Sequence, residues 1–241
     1  MSQDKTLKLT ALSGILGTGI IFAGSLITAV FYQGRTGQSY SFANHFVSEL
    51  GEVGVSNMAW VFNYSVIMGS AIIIVYLLGL AWLMRHWIGL IFALLGLVMG
   101  VSGLLVGVFP MNNLAAHLVV ALTFFNVGQF TTLFFSVYVL FSEKPYFSRT
   151  LAIPGLFTTV CFVIFLNLLT AIPNDPSTNF ESAMAELFLN RPPVLPLAIF
   201  EWLIIAGLMI WVLHTSVHLW RYQRQSIYEP DHTLQIGTAT R

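Results

Sequence analysis

The fold is decided by residues 58–109, which read MAWVFNYSVIMGSAIIIVYLLGLAWLMRHWIGLIFALLGLVMGVSGLLVGVF. Two apolar runs, at 58–84 and 88–109, are joined only by Arg85-His86-Trp87. A helix needs about 20 mostly apolar residues to cross the hydrocarbon core of a bilayer. A three-residue connection leaves room for nothing more than a tight turn. The stretch therefore predicts two membrane-spanning helices that form an antiparallel hairpin.

Four further apolar runs flank this hairpin, at 9–32, 114–141, 150–172 and 197–220. The composition agrees, because 56% of the residues are hydrophobic and 8% are charged, whereas about 25% are charged in a soluble domain. The first run is longer than the roughly 7–15 residues of a signal peptide's apolar segment. We therefore predict an all-α, polytopic membrane protein, in which residues 1–222 form a six-helix transmembrane domain and residues 223–241 a polar cytoplasmic tail.

The distribution of lysine and arginine predicts the orientation of the six spans. Two of these residues, Arg35 and Arg191, fall on one side of the membrane. The other side carries the remaining eight, namely Lys5, Lys8, Arg85, Lys144, Arg149, Arg221, Arg224 and Arg241. Because cytoplasmic loops carry an excess of positive residues, we expect both termini in the cytoplasm of a cell-membrane protein. Loops 33–57 and 173–196 are then outside.

The first outer loop contains Asn44-His45-Phe46-Val47-Ser48-Glu49-Leu50-Gly51, the longest polar interruption in the first half of the chain. This segment places an imidazole, a hydroxyl and a carboxylate within five residues. We expect a short helix over residues 42–50, with Ser41 as its cap and Gly51 as its stop. His45 and Glu49 would then lie four residues apart on one helical face.

Two ionisable residues lie at similar depth below this loop. His117 is about four residues into helix four, or roughly 6 Å along its axis, and Glu201 is about five residues into helix six, or roughly 7–8 Å. Ionisable residues within spans usually face the bundle or a water-filled cavity. With Asn113 at the start of helix four, the candidate binding residues are His45, Ser48, Glu49, Asn113, His117 and Glu201.

Three interpretations of this outer group are open. In the first, His117 and Glu201 pair with each other, with backbone groups, or with Arg35 or Arg191, and hold the helices together. In the second, the group lines an outward-facing polar pocket that binds a lipid or a small amphiphile. In the third it is the site of a metal-dependent hydrolase that acts on a lipid.

The hydrolase interpretation would use zinc, because neutral histidine and carboxylate are zinc ligands. Its candidate ligands are His45, Glu49, His117 and Glu201, and its candidate catalytic groups are Glu49, His117 and Glu201. The sequence contains no compact motif such as HExxH, and we therefore prefer the binding interpretation to an enzyme. A transporter ranks third, because no charged residue lies at the membrane midplane.

The expected partners are membrane lipids, because the predicted spans lie in the bilayer. The net charge of zero gives no indication that the protein binds nucleic acid. Helix three also carries Gly96-x-x-x-Gly100 and Gly103-x-x-x-Gly107, the spacing that lets helix backbones pack closely in lipid. This Gly-rich face suits packing either within the chain or in a homo-oligomer.

Three short motifs carry a resemblance to a known family. Val47-Ser48-Glu49-Leu50-Gly51 after helix one, Gly107-Val108-Phe109-Pro110 at the end of helix three and Ala116-His117 at the start of helix four resemble the prokaryotic membrane family of unknown function DUF998. The resemblance implies a six-helix bundle and emphasises the same outer group, but it implies no reaction.

The chain is also distantly similar to the DRAM-like family, the damage-regulated autophagy modulators. That family has an Ile-Ser-Asp-x-Gly-like segment in its first outer loop, and Ala115-Ala116-His117 and Glu201-Trp202 match two further segments. Glu49 stands where the DRAM-like pattern has aspartate. The longer carboxylate reaches differently, which argues against a shared ligand geometry.

Overall fold

The computed structural model describes residues 2–35, 37–84, 86–170, 186–188 and 190–228. Each of the six long helices in this part of the chain is long and apolar enough to cross a membrane, which confirms the predicted all-α, six-span architecture. The helices are α1 (Gln3–Val30), α2 (Ala59–Leu83), α3 (His86–Val108), α4 (Leu114–Phe141), α5 (Ala152–Thr170) and α6 (Pro196–Tyr228). The direction in which they cross the membrane stays a prediction.

The first and last helices extend beyond the apolar runs from which they were predicted. The N-terminal helix begins at Gln3 rather than at residue 9, with Asp4 in its first turn, where a negative charge is favourable. The last helix continues to Tyr228, so the first six residues of the predicted polar tail are helical. Arg224 stabilises this extension of the helix, because its guanidinium carbon lies 5.8 Å from the centroid of the Trp220 ring, within the range of a cation–π contact. Residues 229–241 and most of the predicted loop 173–196 lie outside the described residues.

The six helices form a closed ring. Each helix packs against the next one along the chain, and α6 returns to pack against α1. We call the end of the ring that carries residues 31–58, 109–113 and 190–195 the loop side. The opposite end, which carries residue 2 and the connection 142–151, is the terminal side.

The Gly-rich face of α3 is used inside the ring. A Cβ atom on Gly100 would lie 2.5 Å from Cγ1 of Ile74, and one on Gly107 would lie 2.6 Å from the Asn63 carbonyl oxygen. Both neighbours belong to α2, so these glycines let two helices of the same chain approach closely. This face is therefore occupied within the chain, and the predicted homo-oligomer would need another surface.

The interior of the ring differs between its two ends. On the terminal side it is filled by four aromatic side chains, each no more than 1% exposed, which we call the aromatic plug. The Trp211 ring centroid lies 5.3 Å from that of Phe135 and 6.2 Å from that of Tyr76. Phe92 completes the plug, 6.1 Å from Phe135. On the loop side the same helices leave a cavity.

Candidate functional site

The cavity has a volume of about 140 Å³ and is lined by α1, α2, α3, α4 and α6. A 3₁₀ helix over Val47–Gly51, which we call the roof helix, contributes Val47 and Ser48 to the lining on the loop side. Apolar side chains and glycines form most of the wall. Six lining residues carry a hydroxyl, imidazole or carboxyl group, namely Thr18, Ser25, Ser48, Ser70, His117 and Glu201.

The roof helix is shorter than the helix predicted over residues 42–50, and that prediction is wrong. The chain turns at residues 42–44, and helical structure begins only at Val47. Phe46 before it is extended, with φ −67° and ψ 149°, and its backbone N–H donates a 2.7 Å hydrogen bond to Oε1 of Glu49. Because Glu49 bonds back to the start of the turn, His45 and Glu49 do not share a helical face.

Arg191 holds the roof helix from the second loop. Its guanidinium donates two hydrogen bonds to the Glu49 carboxylate, of 2.9 Å to Oε1 and 2.7 Å to Oε2, which is the strong bidentate arrangement. The two side chains are 12% and 5% exposed. Arg191 also donates to the Asn44 carbonyl, and the Leu195 N–H donates to the Ala43 carbonyl at 2.8 Å. Glu49 is thus engaged in joining two loops and does not line the cavity.

Glu201 joins α6 to the roof helix. Its Oε2 accepts a 2.7 Å hydrogen bond from the backbone N–H of Val47. The neighbouring Trp202 donates from its indole nitrogen to the Tyr40 hydroxyl at 2.8 Å, and that hydroxyl donates to the Phe46 carbonyl at 2.8 Å. Oε1 of Glu201 has no hydrogen-bond partner among the described residues, and Glu201 lines the cavity.

His117 presents a hydrogen-bond acceptor. Its Nδ1 lies 2.8 Å from the Phe109 carbonyl oxygen, and because a carbonyl can only accept, Nδ1 carries the proton. The Nε2 atom of the neutral ring is then an acceptor. Nε2 has no partner in the described part of the chain, and His117 lines the cavity. Of the pairings considered for His117 and Glu201, the structure therefore has those with backbone groups.

His45 is buried two residues before the roof helix and does not line the cavity. Its ring centroid lies 5.4 Å from that of Tyr32 and 5.2 Å from that of Tyr40. Nδ1 lies 2.9 Å from Oδ1 of Asn44 and 3.2 Å from the backbone nitrogen of Ser41. Burial, and secondarily the positive charge of Arg191, lower the pKa of His45 to about 4, so the ring is neutral at pH 7.

Of the other two candidate binding residues, Ser48 lines the cavity and Asn113 does not. The Ser48 side chain lines the cavity, and its hydroxyl lies 3.2 Å from the Met111 sulfur. Asn113 is the N-cap of α4, since its Oδ1 accepts from the Ala116 N–H at 3.3 Å, and it does not line the cavity.

A family model described as a protein of unknown function (DUF998) matches residues 19–218. The chain belongs to the DUF998 family. The match covers four complete helices and parts of α1 and α6, and it includes the roof helix, His117 and Glu201. No curated protein and no solved structure matches. The distant similarity of this DUF998 protein to the DRAM-like family stays a prediction.

The four candidate zinc ligands of the DUF998 chain do not come together. His117 and Glu201 lie on the cavity wall, whereas Glu49 in the roof helix and His45 just before it are buried and do not line the cavity. Within the ranges that the structure describes, no three His, Cys, Asp or Glu side chains are grouped as a metal site requires. Three or four ligands at about 2.0–2.2 Å define a zinc centre, so this arrangement supplies too few.

Several residues that organise the site were not predicted. Arg191 was considered only as a partner of His117 or Glu201, and Tyr40 and Trp202 were not considered as loop contacts. Asn112 makes two 2.8 Å hydrogen bonds to the backbone of Val53, and Arg35 pairs with Glu52. The sequence offered one signal for these ion pairs. The first outer loop holds two acidic residues, Glu49 and Glu52, and each of the two outer loops holds one arginine that could pair with them.

Proposed function

We propose that this integral membrane protein binds a small amphiphile in the cavity on the loop side of the ring. The observation that carries the proposal is an apolar cavity with two ionisable side chains, His117 and Glu201, at its loop-side end. An apolar body and a few placed polar groups are typical of ligand sites. The ligand's apolar part would lie among the α2, α3 and α6 side chains, with its polar head under the roof helix.

The volume limits the size of the ligand. An engineered apolar cavity of about 150 Å³ binds benzene, and this cavity is about 140 Å³. A ligand held entirely inside would thus have about six to eight non-hydrogen atoms. A whole two-chain phospholipid is too large, which favours the small-amphiphile form of the binding hypothesis over the lipid form.

The polar end favours a head group that donates hydrogen bonds. Nε2 of His117 is an acceptor, because Nδ1 donates to the Phe109 carbonyl. Glu201 offers a second acceptor in Oε1, since Oε2 is bonded to the Val47 N–H. An ammonium group can donate to both acceptors and an alcohol to one of them, whereas a carboxylate head has no hydrogen to donate. The ligand class is therefore a short-chain alcohol or amine.

The closed terminal side supports binding rather than transport. Trp211 lies on the cavity lining and packs against Phe135 and Tyr76 in the aromatic plug. A solute moving through the ring would have to displace these fully buried rings. The third-ranked transporter hypothesis has no comparable observation in its favour.

The first experiment measures saturable binding of tritiated 1-hexanol to the protein in lipid nanodiscs, with empty nanodiscs as background. Ala121→Phe, on the cavity wall of α4, is expected to fill the cavity and abolish saturable binding. Val119→Phe places the same side chain on the same helix at a position 67% exposed, and it is expected to bind as the wild type does. An absence of saturable binding to folded wild-type protein, or equal binding by Ala121→Phe, would contradict the proposal.

A second measurement tests the head group by competition. Hexylamine is expected to displace 1-hexanol, and hexanoate is expected to compete poorly. Glu201→Gln keeps an acceptor for the Val47 N–H and puts an amide NH₂, which can donate to a carboxylate, in place of the second carboxyl oxygen, so competition by hexanoate should improve about tenfold, equivalent to about 1.4 kcal/mol. Unchanged competition by hexanoate in this variant would mean that Glu201 does not face the head group.

The hydrolase alternative is tested by the zinc content of the purified protein, measured by mass spectrometry. We expect no stoichiometric zinc, because the described residues contain no group of three or more His, Cys, Asp or Glu side chains that could hold a metal ion. Near-stoichiometric zinc that disappears in both His117→Ala and Glu201→Gln would overturn the binding proposal in favour of a metal-dependent hydrolase.

A further inference from the structure

A second apolar site lies on the outside of the ring, between α3 and α4 on the terminal side. It is a groove of about 1170 Å³, which is roughly eight times the volume of the inner cavity. We call it the α3–α4 groove. Its lining comprises Trp87, Ile88, Leu95, Phe130, Leu133, Phe134, Val137, Tyr138, Phe141, Ser142, Glu143 and Lys144.

The groove has the depth of one membrane leaflet. Its α4 wall runs from Phe130 to Phe141, which is about 16 Å at a rise of 1.5 Å per residue. The hydrocarbon core of a bilayer is about 30 Å thick. Trp87 is 64% exposed and Phe141 is 82% exposed, so the walls face the hydrocarbon chains of the leaflet on the terminal side.

The end of the groove on the terminal side carries two opposite charges. Ser142, Glu143 and Lys144 follow α4 directly and line the groove where α4 ends. Glu143 and Lys144 are exposed, and neither has an ion-pair partner in the part of the chain that the structure describes. A carboxylate and an ammonium group are thus available side by side at the depth of lipid headgroups.

We propose that the α3–α4 groove binds one phosphatidylethanolamine molecule from the leaflet on the terminal side. Lys144 would bind the lipid phosphate, Glu143 would accept hydrogen bonds from the lipid ammonium group, and the acyl chains would lie along the groove. This charge pattern matches a zwitterionic headgroup. An anionic lipid would leave Glu143 facing a negative charge, and a quaternary choline group has no N–H to donate. The proposal does not depend on the function of the inner cavity.

The test is native mass spectrometry of the full-length protein, released from nanodiscs that contain equal amounts of dioleoyl phosphatidylethanolamine, phosphatidylglycerol and phosphatidylcholine. We expect one retained phosphatidylethanolamine per protein, at about two- to fivefold the abundance of either competitor, the range that exposed ion pairs support. Glu143→Lys should shift the preference to phosphatidylglycerol, because both rim charges are then positive.

Val137→Trp fills the groove and should remove the retained lipid. Val163→Trp on α5 is the matched control, since Val137 and Val163 are both 43% exposed and Val163 lies outside the groove. Equal retention of the three lipids by the wild type, or equal lipid loss in the two tryptophan variants, would overturn the proposal. So would a lipid-free dimer that Val137→Trp dissociates, because a second copy would then occupy the groove.

Discussion

The same six helices build two different interiors at the two ends of the ring. On the terminal side Tyr76, Phe92, Phe135 and Trp211 fill the space with aromatic rings. On the loop side a cavity remains, and the surrounding loops are joined by hydrogen bonds and an ion pair at Glu201 and Glu49. Close packing stabilises a fold, whereas an unfilled space leaves room for a ligand. The terminal side therefore determines stability, and the loop side is where we expect function.

The largest loss of stability is expected from opening the aromatic plug. Phe135→Ala removes a fully buried ring that packs against Trp211 and Phe92. Large-to-small substitutions of this kind cost about 3–5 kcal/mol. Phe130→Ala, on the same helix but 56% exposed, is the control and should cost much less. Unfolding by SDS in mixed micelles measures both, and equal losses would contradict the assignment of stability to the plug.

A somewhat smaller effect is expected at the Glu49–Arg191 ion pair. Arg191→Leu leaves the buried Glu49 carboxylate without its bidentate partner, which costs about 3 kcal/mol when a buried pair is broken. Because the pair joins two loops, amide hydrogen exchange should accelerate at residues 43–51 more than in the helices. The Glu49→Leu/Arg191→Leu double variant should recover part of the loss, since no unpaired charge remains.

The Arg35–Glu52 pair is the control for this experiment. The Arg35 side chain is 50% exposed, and exposed ion pairs contribute about 0–1 kcal/mol. Arg35→Leu should therefore change exchange at residues 43–51 only slightly. If it accelerates exchange as much as Arg191→Leu does, the Glu49–Arg191 pair is not what holds the roof helix.

Acid is expected to weaken the loop side before it affects the plug. His45 has a pKa of about 4 in the folded protein, lowered mainly by burial and then by Arg191, against about 6.5 when unfolded. Between these values the unfolded chain binds an extra proton, so the free energy of unfolding falls as the pH drops from 6.5 to 4. The loss should be up to about 3 kcal/mol. His45→Gln should flatten the profile in this pH range, and an unchanged slope would assign the effect to another group.

The membrane spans can be predicted from the sequence, whereas the pairs of helices that pack against each other cannot. Apolar length is a local property, so runs such as 114–141 gave the helix Leu114–Phe141 directly. The Gly-rich face of α3 can also be recognised in the sequence, but the sequence does not show which helix packs against it. Only the ring arrangement places Gly100 against Ile74 rather than against a second copy.

The site was predicted only in part, because its contacts join residues that are distant in the chain. Depth along the helix axes indicated His117 and Glu201 as neighbours of one space, and both residues line the cavity. The same reasoning placed His45 and Glu49 with them, but Glu49 turns back to Phe46 and pairs with Arg191, 142 residues away. A short polar loop has several backbone conformations of similar energy, and the long-range ion pair selects one of them.

The smallest effect in this series is expected from Asn113→Ala, which separates helix capping from ligand binding. Asn113 is a candidate binding residue by sequence, yet its side chain caps α4 through the Ala116 N–H and is absent from the cavity lining. Loss of an N-cap costs about 1 kcal/mol. The variant should therefore unfold slightly earlier in SDS but bind 1-hexanol with unchanged affinity. Because α4 carries His117 one turn further on, a loss of binding without a loss of stability would instead mean that Asn113 contacts the ligand directly and that the cavity extends to the start of α4.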